Sequence, residues 1–114
     1  MNNEIINKII TGRVEPHIYA FETCSVPNYL KIGDTYRPVY QRLEEWRRHY
    51  KNLQKLYEHP AVIENKYFRD YAVHAFVEDV KGRRRIKDED FQEGLYHSKE
   101  FFKDATPADI KEAI

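Results

Sequence analysis

The sequence predicts a small α/β domain, of the α+β kind, in which a three-stranded, mostly antiparallel sheet is flanked by helices. Three observations point to it. Between His17 and Asp34, the apolar runs His-Ile-Tyr-Ala-Phe and Leu-Lys-Ile-Gly-Asp are separated by a Pro-Asn turn, the pattern of a β-hairpin. From Pro38 to Tyr50, the residues Val39, Leu43, Trp46 and Tyr50 recur at spacings of four, three and four, which makes one apolar face of a helix. Leu53 to Tyr57 then reads as a third strand.

Each element has a local cause. Asn3 to Thr11 carries Ile5, Ile6, Ile9 and Ile10 at helical spacing and stops at Gly12, so a short helix capping the core is expected there. Pro38 suits the first turn of its helix, where a missing N–H costs nothing. His59-Pro60 interrupts the third strand, because proline is tolerated in a sheet only at an edge or a bulge. Lys66 to Val80 reads as a second major helix with Phe68, Ala72, Ala75 or Phe76, and Val80 as its buried stripe. Asp70, His74 and Val77 share a neighbouring face, since residues four apart stack.

Lys81 to Glu93 is the most charged stretch. Arg83-Arg84-Arg85 is basic and Asp88-Glu89-Asp90 acidic, so a solvated, mobile loop or hairpin is expected. Thr106-Pro107-Ala108-Asp109 starts a last helix, with threonine as cap, proline at the first position and a carboxylate three residues on. That helix meets no stop signal before Ile114. The expectation is a single domain over residues 1–114, serving as the N-terminal module of a longer protein.

Composition excludes several classes. A hydrophobic fraction of 41% with 33% charged residues describes a folded globular domain. Nineteen basic and nineteen acidic residues cancel, so any attraction to nucleic acid must come from a local patch. Cys24 is the sole cysteine, which rules out an internal disulfide and a thiolate metal cluster. No apolar run suits a membrane span and the N-terminus lacks a signal-peptide layout, so the expected location is the cytoplasm. His17, His49, His59 and His97 have no zinc-ligand spacing.

The predicted elements leave Tyr19 on the first strand, Lys31 and Gly33 at the end of the second, and Arg42 one turn into the helix. Ile18-Tyr19, Lys31-Ile32-Gly33, Arg37 with Arg42, Asp70 with His74, and Glu100-Phe101-Phe102 follow in that order. Together they resemble the GIY-YIG nuclease superfamily, most closely the phage and restriction-type subgroup whose second motif reads Lys-Ile-Gly. The resemblance covers roughly residues 17–102, with Glu100-Phe101-Phe102 as the aromatic tail that closes the domain.

The resemblance implies a metal-dependent endonuclease acting on DNA, within a restriction or phage-defence protein. Cleaving a phosphodiester needs a deprotonated nucleophile, neutralised phosphate charge and help for the departing oxygen. By the resemblance, Tyr19 positions or deprotonates the attacking water and Arg42 clamps phosphate with its planar fork, while Lys31, in the place of the wider superfamily's second tyrosine, either shares proton transfer or contacts phosphate. His74 orients the site or contacts phosphate. Asp70 holds Mg2+ or Mn2+ where the family carries glutamate, one methylene longer. Tyr36, Arg37 and Tyr40 could line a nucleic-acid groove by stacking and charge, and Arg83, Arg84 and Arg85 could clamp phosphates. The second reading is a catalytically inactive nucleic-acid-binding or protein-docking module with the same fold.

Overall fold

The structure is a computed structural model that describes residues 15–114; the helix expected over Asn3 to Thr11 lies outside the described residues. Strands β1 (His17–Glu22), β2 (Tyr29–Thr35), β3 (Gln54–Pro60) and β6 (Phe101–Lys103) form one antiparallel sheet in the order β3-β1-β2-β6. The sheet thus gains a fourth strand from the segment read as an aromatic tail. Helix α1 (Val39–Arg47) lies between β2 and β3 in sequence. A two-residue hairpin, β4 (Val62–Ile63) with β5 (Lys66–Tyr67), leads into α2 (Asp70–Asp79), and α3 (Pro107–Ala113) ends the chain.

Side-chain alternation along the strands builds two cores, one on each face of the sheet. Tyr19, Phe21 and Phe101 point to the side where Val39, Leu43, Trp46 and Tyr50 bury the expected apolar face of α1. Ile18, Ala20, Leu30, Ile32 and Phe102 point to the other, against Val73 and Val77 of α2 and Ile110 of α3.

Several boundaries differ from expectation. Pro38 precedes α1 as its N-cap, and the helix closes at Arg47 although Tyr50 is still buried. The third strand continues through His59-Pro60, which it can do because β3 is an edge strand. The second helix starts at Asp70 instead of Lys66, since Glu64 and Asn65, both at positive φ, turn the preceding chain into the β4–β5 hairpin. Its buried stripe is Val73, His74 and Val77; Ala72 is exposed and Val80 is 66% exposed.

The Lys81–Glu93 stretch is solvated over Lys87 to Asp90, as expected, but its middle is tied to the sheet. The Ile86 N–H donates to the Phe101 carbonyl at 2.9 Å and the Lys103 N–H to the Arg84 carbonyl at 2.8 Å, extending the sheet beyond β6, with Ile86 buried. The expected Thr106 cap is present: its hydroxyl accepts from the Asp109 N–H, and the Asp109 carboxylate accepts from the Thr106 N–H.

Candidate active site

The site forms where β6 stops short. β6 pairs with β2 only over Tyr29–Lys31, so the ladder groups of Ile32 need other partners. The Ile32 N–H donates to the Glu100 carbonyl at 2.9 Å, and the Ile32 carbonyl accepts from His74 Nε2 at 2.7 Å. One residue of β2 therefore holds both α2 and Glu100, the residue directly before β6. A carbonyl only accepts, so Nε2 carries the proton and Nδ1 keeps the lone pair.

Asp70, His74 and Glu100 come together here, each offering one ligand atom within 4.8 Å of the others. Lys31 Nζ donates to Glu100 Oε1 at 2.6 Å from a side chain with no solvent exposure. The same ammonium sits 4.1 Å from the centre of the Trp46 ring. Trp46 Nε1 in turn donates to the Tyr19 hydroxyl at 2.8 Å. Gly33 is where Tyr19 and Lys31 meet: a Cβ there would lie 2.6 Å from Tyr19 Oη and 3.1 Å from Lys31 Nζ.

Arg42 completes the row from α1. Its guanidinium stacks 4.6 Å from the Trp46 ring centre, and its charge acts on the Tyr19 hydroxyl. Glu45 holds Arg42 through one oxygen at 2.8 Å and takes both terminal nitrogens of Arg37 at 2.7 Å. These two guanidinium groups hold the Glu45 carboxyl down at about 2. Tyr19 and Lys31 are enclosed, while Arg42, Asp70 and Glu100 form the half-exposed rim.

Burial sets the charge states. It pushes the Tyr19 hydroxyl far above its ordinary value, so Tyr19 is a neutral phenol. Burial also pulls the Lys31 ammonium below its ordinary value, against the opposing charge of Glu100. Burial and then the neighbouring Glu100 push the Asp70 carboxyl up to about 7. Glu100 is itself half-buried, but Lys31 and a hydrogen bond from Asp70 outweigh that and hold it below the usual carboxylate range. The two carboxyls thus share one proton near neutrality, and it rests on Asp70. Burial keeps His74 below the ordinary imidazole value, hence neutral.

This donor set fits a divalent cation. Two hard carboxylate oxygens suit Mg2+ or Mn2+, and a neutral imidazole nitrogen adds affinity for Mn2+.

Of the residues singled out in the sequence, Tyr19, Lys31, Arg42, Asp70 and His74 are brought together. Arg37 reaches the rim through Glu45, and Tyr36 through Arg69, whose guanidinium lies 5.8 Å from its ring. Tyr40 points outward, 68% exposed. The three consecutive arginines do not act as one loop. Arg83 is bound to Asp109 on α3, Arg84 donates to the Tyr29 hydroxyl, and Arg85 alone lies near His74, bound to Glu78 and to the Lys99 carbonyl.

Glu100 and Trp46 carry no site signal of their own in the sequence. Glu100 sits directly before the aromatic pair of β6 and Trp46 on the apolar stripe of α1, so their neighbours gave each a structural explanation.

The chain matches the T5orf172 domain family over residues 16–114 and belongs to it. That family is nuclease-associated. Comparison with curated proteins and with solved structures gives no match.

Proposed function

We propose that this T5orf172-family domain is a metal-dependent endonuclease of the GIY-YIG type that hydrolyses phosphodiester bonds in DNA. One observation carries the reading: the Asp70–His74–Glu100 group lies against Lys31, which in turn lies beside Tyr19, Trp46 and Arg42. A phosphate at the rim would meet the Arg42 guanidinium and the candidate metal centre, with the enclosed Lys31 ammonium and Tyr19 phenol directly behind them.

Hydrolysis bonds a water oxygen to phosphorus, breaks one P–O ester bond, and leaves one water proton on the departing oxygen. Tyr19, held neutral, orients the water instead of deprotonating it. Lys31, its basicity lowered by burial, shares the proton transfer. Arg42 clamps the non-bridging phosphate oxygens with its fork. Asp70, Glu100 and His74 Nδ1 would hold Mg2+ or Mn2+, which when bound neutralises phosphate charge and assists the leaving oxygen. Glu100 supplies a longer carboxylate beside Asp70, which offsets the missing methylene of the aspartate.

A catalytically inactive nucleic-acid-binding or protein-docking module with the same fold is the second reading. The pairing of Arg37, Arg42, Arg83 and Arg85 with carboxylates of the same chain leaves fewer cations free for phosphates and favours the docking form of that reading. A nicking assay on supercoiled plasmid with Mg2+, Mn2+ and chelator separates the two.

A further inference from the structure

We infer that Asp34 is a positioning residue that sets helix α2, and with it Asp70 and His74, against β2; the inference rests on the nuclease reading above. The first turn of α2 has a free N–H to satisfy, and its own N-cap residue, Arg69, is extended and supplies no side-chain acceptor. Asp34 supplies one from another element. Its Oδ2 accepts the Asp70 N–H at 2.8 Å and Arg69 Nε at 2.7 Å. The carboxylate does this from a side chain only 8% exposed, so it is committed to the helix.

The placement along β2 gives this bond its consequence. Ile32 and Asp34 stand two apart on one strand, and Asp70 and His74 stand four apart on one helix. β2 therefore grips α2 at two points a turn apart, at the Asp70 N–H through Asp34 and at the His74 ring through the Ile32 carbonyl. Two attachments on one axis fix both the slide and the rotation of α2. Those are the degrees of freedom that decide whether Asp70 and His74 reach Glu100. A carboxylate at a helix N-terminus is also favoured by the helix dipole.

A residue that only stabilises the fold and one that positions ligands make different predictions. Asp34→Ala should lower plasmid nicking by about ten- to a hundredfold, since a misplacement near 1 Å carries that cost. It should raise the Mn2+ concentration at half-maximal rate while leaving DNA affinity unchanged. Asp34→Asn, which keeps an acceptor oxygen, should recover most of the loss. A purely structural role would lower the melting temperature and leave the Mn2+ dependence where it was.

Two measurements make the outcome independent of activity. In the native chain, NMR should detect a hydrogen-bond coupling between the Asp70 amide and the Asp34 carboxyl carbon, and its absence overturns the inference even if Asp34→Ala fails to fold. Mn2+ relaxation of the His74 ring signals should weaken in Asp34→Ala at equal metal; an unchanged effect overturns it. Absence of nicking by the native chain with any metal would sink the nuclease reading. The coupling and the relaxation would still decide the role of Asp34.

Discussion

Lys31 and Glu100 stand 69 positions apart in the chain and meet in a 2.6 Å ion pair, with the lysine wholly enclosed. The ammonium lies among Tyr19, Phe21 and Trp46, so Glu100 is the carboxylate that makes its burial tolerable. The same carboxylate is one of three candidate metal ligands, which ties the stability of the sheet edge to the chemistry.

Glu100→Ala should therefore destabilise the domain. Breaking a buried pair costs about 3–5 kcal/mol, and the partial exposure of Glu100 puts this case at the lower end. Denaturant unfolding measures it. The double change Lys31→Met with Glu100→Ala should restore much of the stability without restoring activity. Equal stability of the native chain and the single variant would show that Lys31 has another partner.

Gly33→Ala should disturb the site without replacing a charged residue. The added Cβ would come within 2.7 Å of Tyr19 Cζ, and that ring is held by the Trp46 hydrogen bond and by stacking on Phe21. Overpacking of this kind costs about 1–3 kcal/mol. The melting temperature should fall and Trp46 fluorescence should change. A variant with native stability and emission would mean that the close approach is relieved elsewhere.

Arg42→Ala should leave the fold intact and abolish metal-dependent nicking. Arg42 lies off the Val39–Leu43–Trp46 stripe, and its half-exposed pair with Glu45 contributes about 1 kcal/mol at most. Glu45→Ala should free both Arg37 and Arg42 and reduce cleavage through disorder of the clamp, with little change in melting temperature. Unfolding of Arg42→Ala, or cleavage at an unchanged rate, would remove it from the site.

The carboxyl pair predicts a pH dependence of definite sign. Asp70 has a folded value raised from 3.8 to about 7, so it binds more protons folded than unfolded. Its contribution is fully present below the unfolded value and is lost as pH rises through about 7. In chelator, the melting temperature should fall across that interval, and Asp70→Asn should flatten the fall. Binding of Mn2+ should release one proton, so apparent affinity should strengthen about tenfold per pH unit below neutrality. Calorimetry in buffers of different ionisation enthalpy reports the released proton directly; none released would contradict the shared-proton arrangement.

Local signals in the sequence carried the hairpin of β1 and β2, the buried face of α1 and the Thr106 cap, because each depends on residues a few positions apart. They failed where long-range contacts decide. His74 is polar, and its burial is compensated by the Ile32 carbonyl, so the true stripe of α2 was phased onto Phe68 and Val80. Phe101 and Phe102 are apolar on both faces of a three-residue strand, and nothing local marks that as β6. Glu64-Asn65 lacks the glycine of a common two-residue turn, which hid the β4–β5 hairpin inside a longer predicted helix. Tyr19, Lys31, Arg42, Asp70 and His74 were legible by resemblance. Glu100 was not, because its importance comes from lysine and aspartate partners in distant elements.

The central claim is that Asp70, His74 and Glu100 form a metal centre that serves phosphodiester cleavage beside Lys31 and Arg42. Its most direct test is nicking of supercoiled plasmid by the native chain and by Asp70→Asn, each in Mg2+, Mn2+ and chelator. The account predicts nicking by the native chain with a divalent ion, none in chelator, and a loss of at least about a hundredfold in Asp70→Asn, the scale expected when a catalytic group is misplaced. Equal nicking by both proteins, or none by the native chain with either metal, would contradict it.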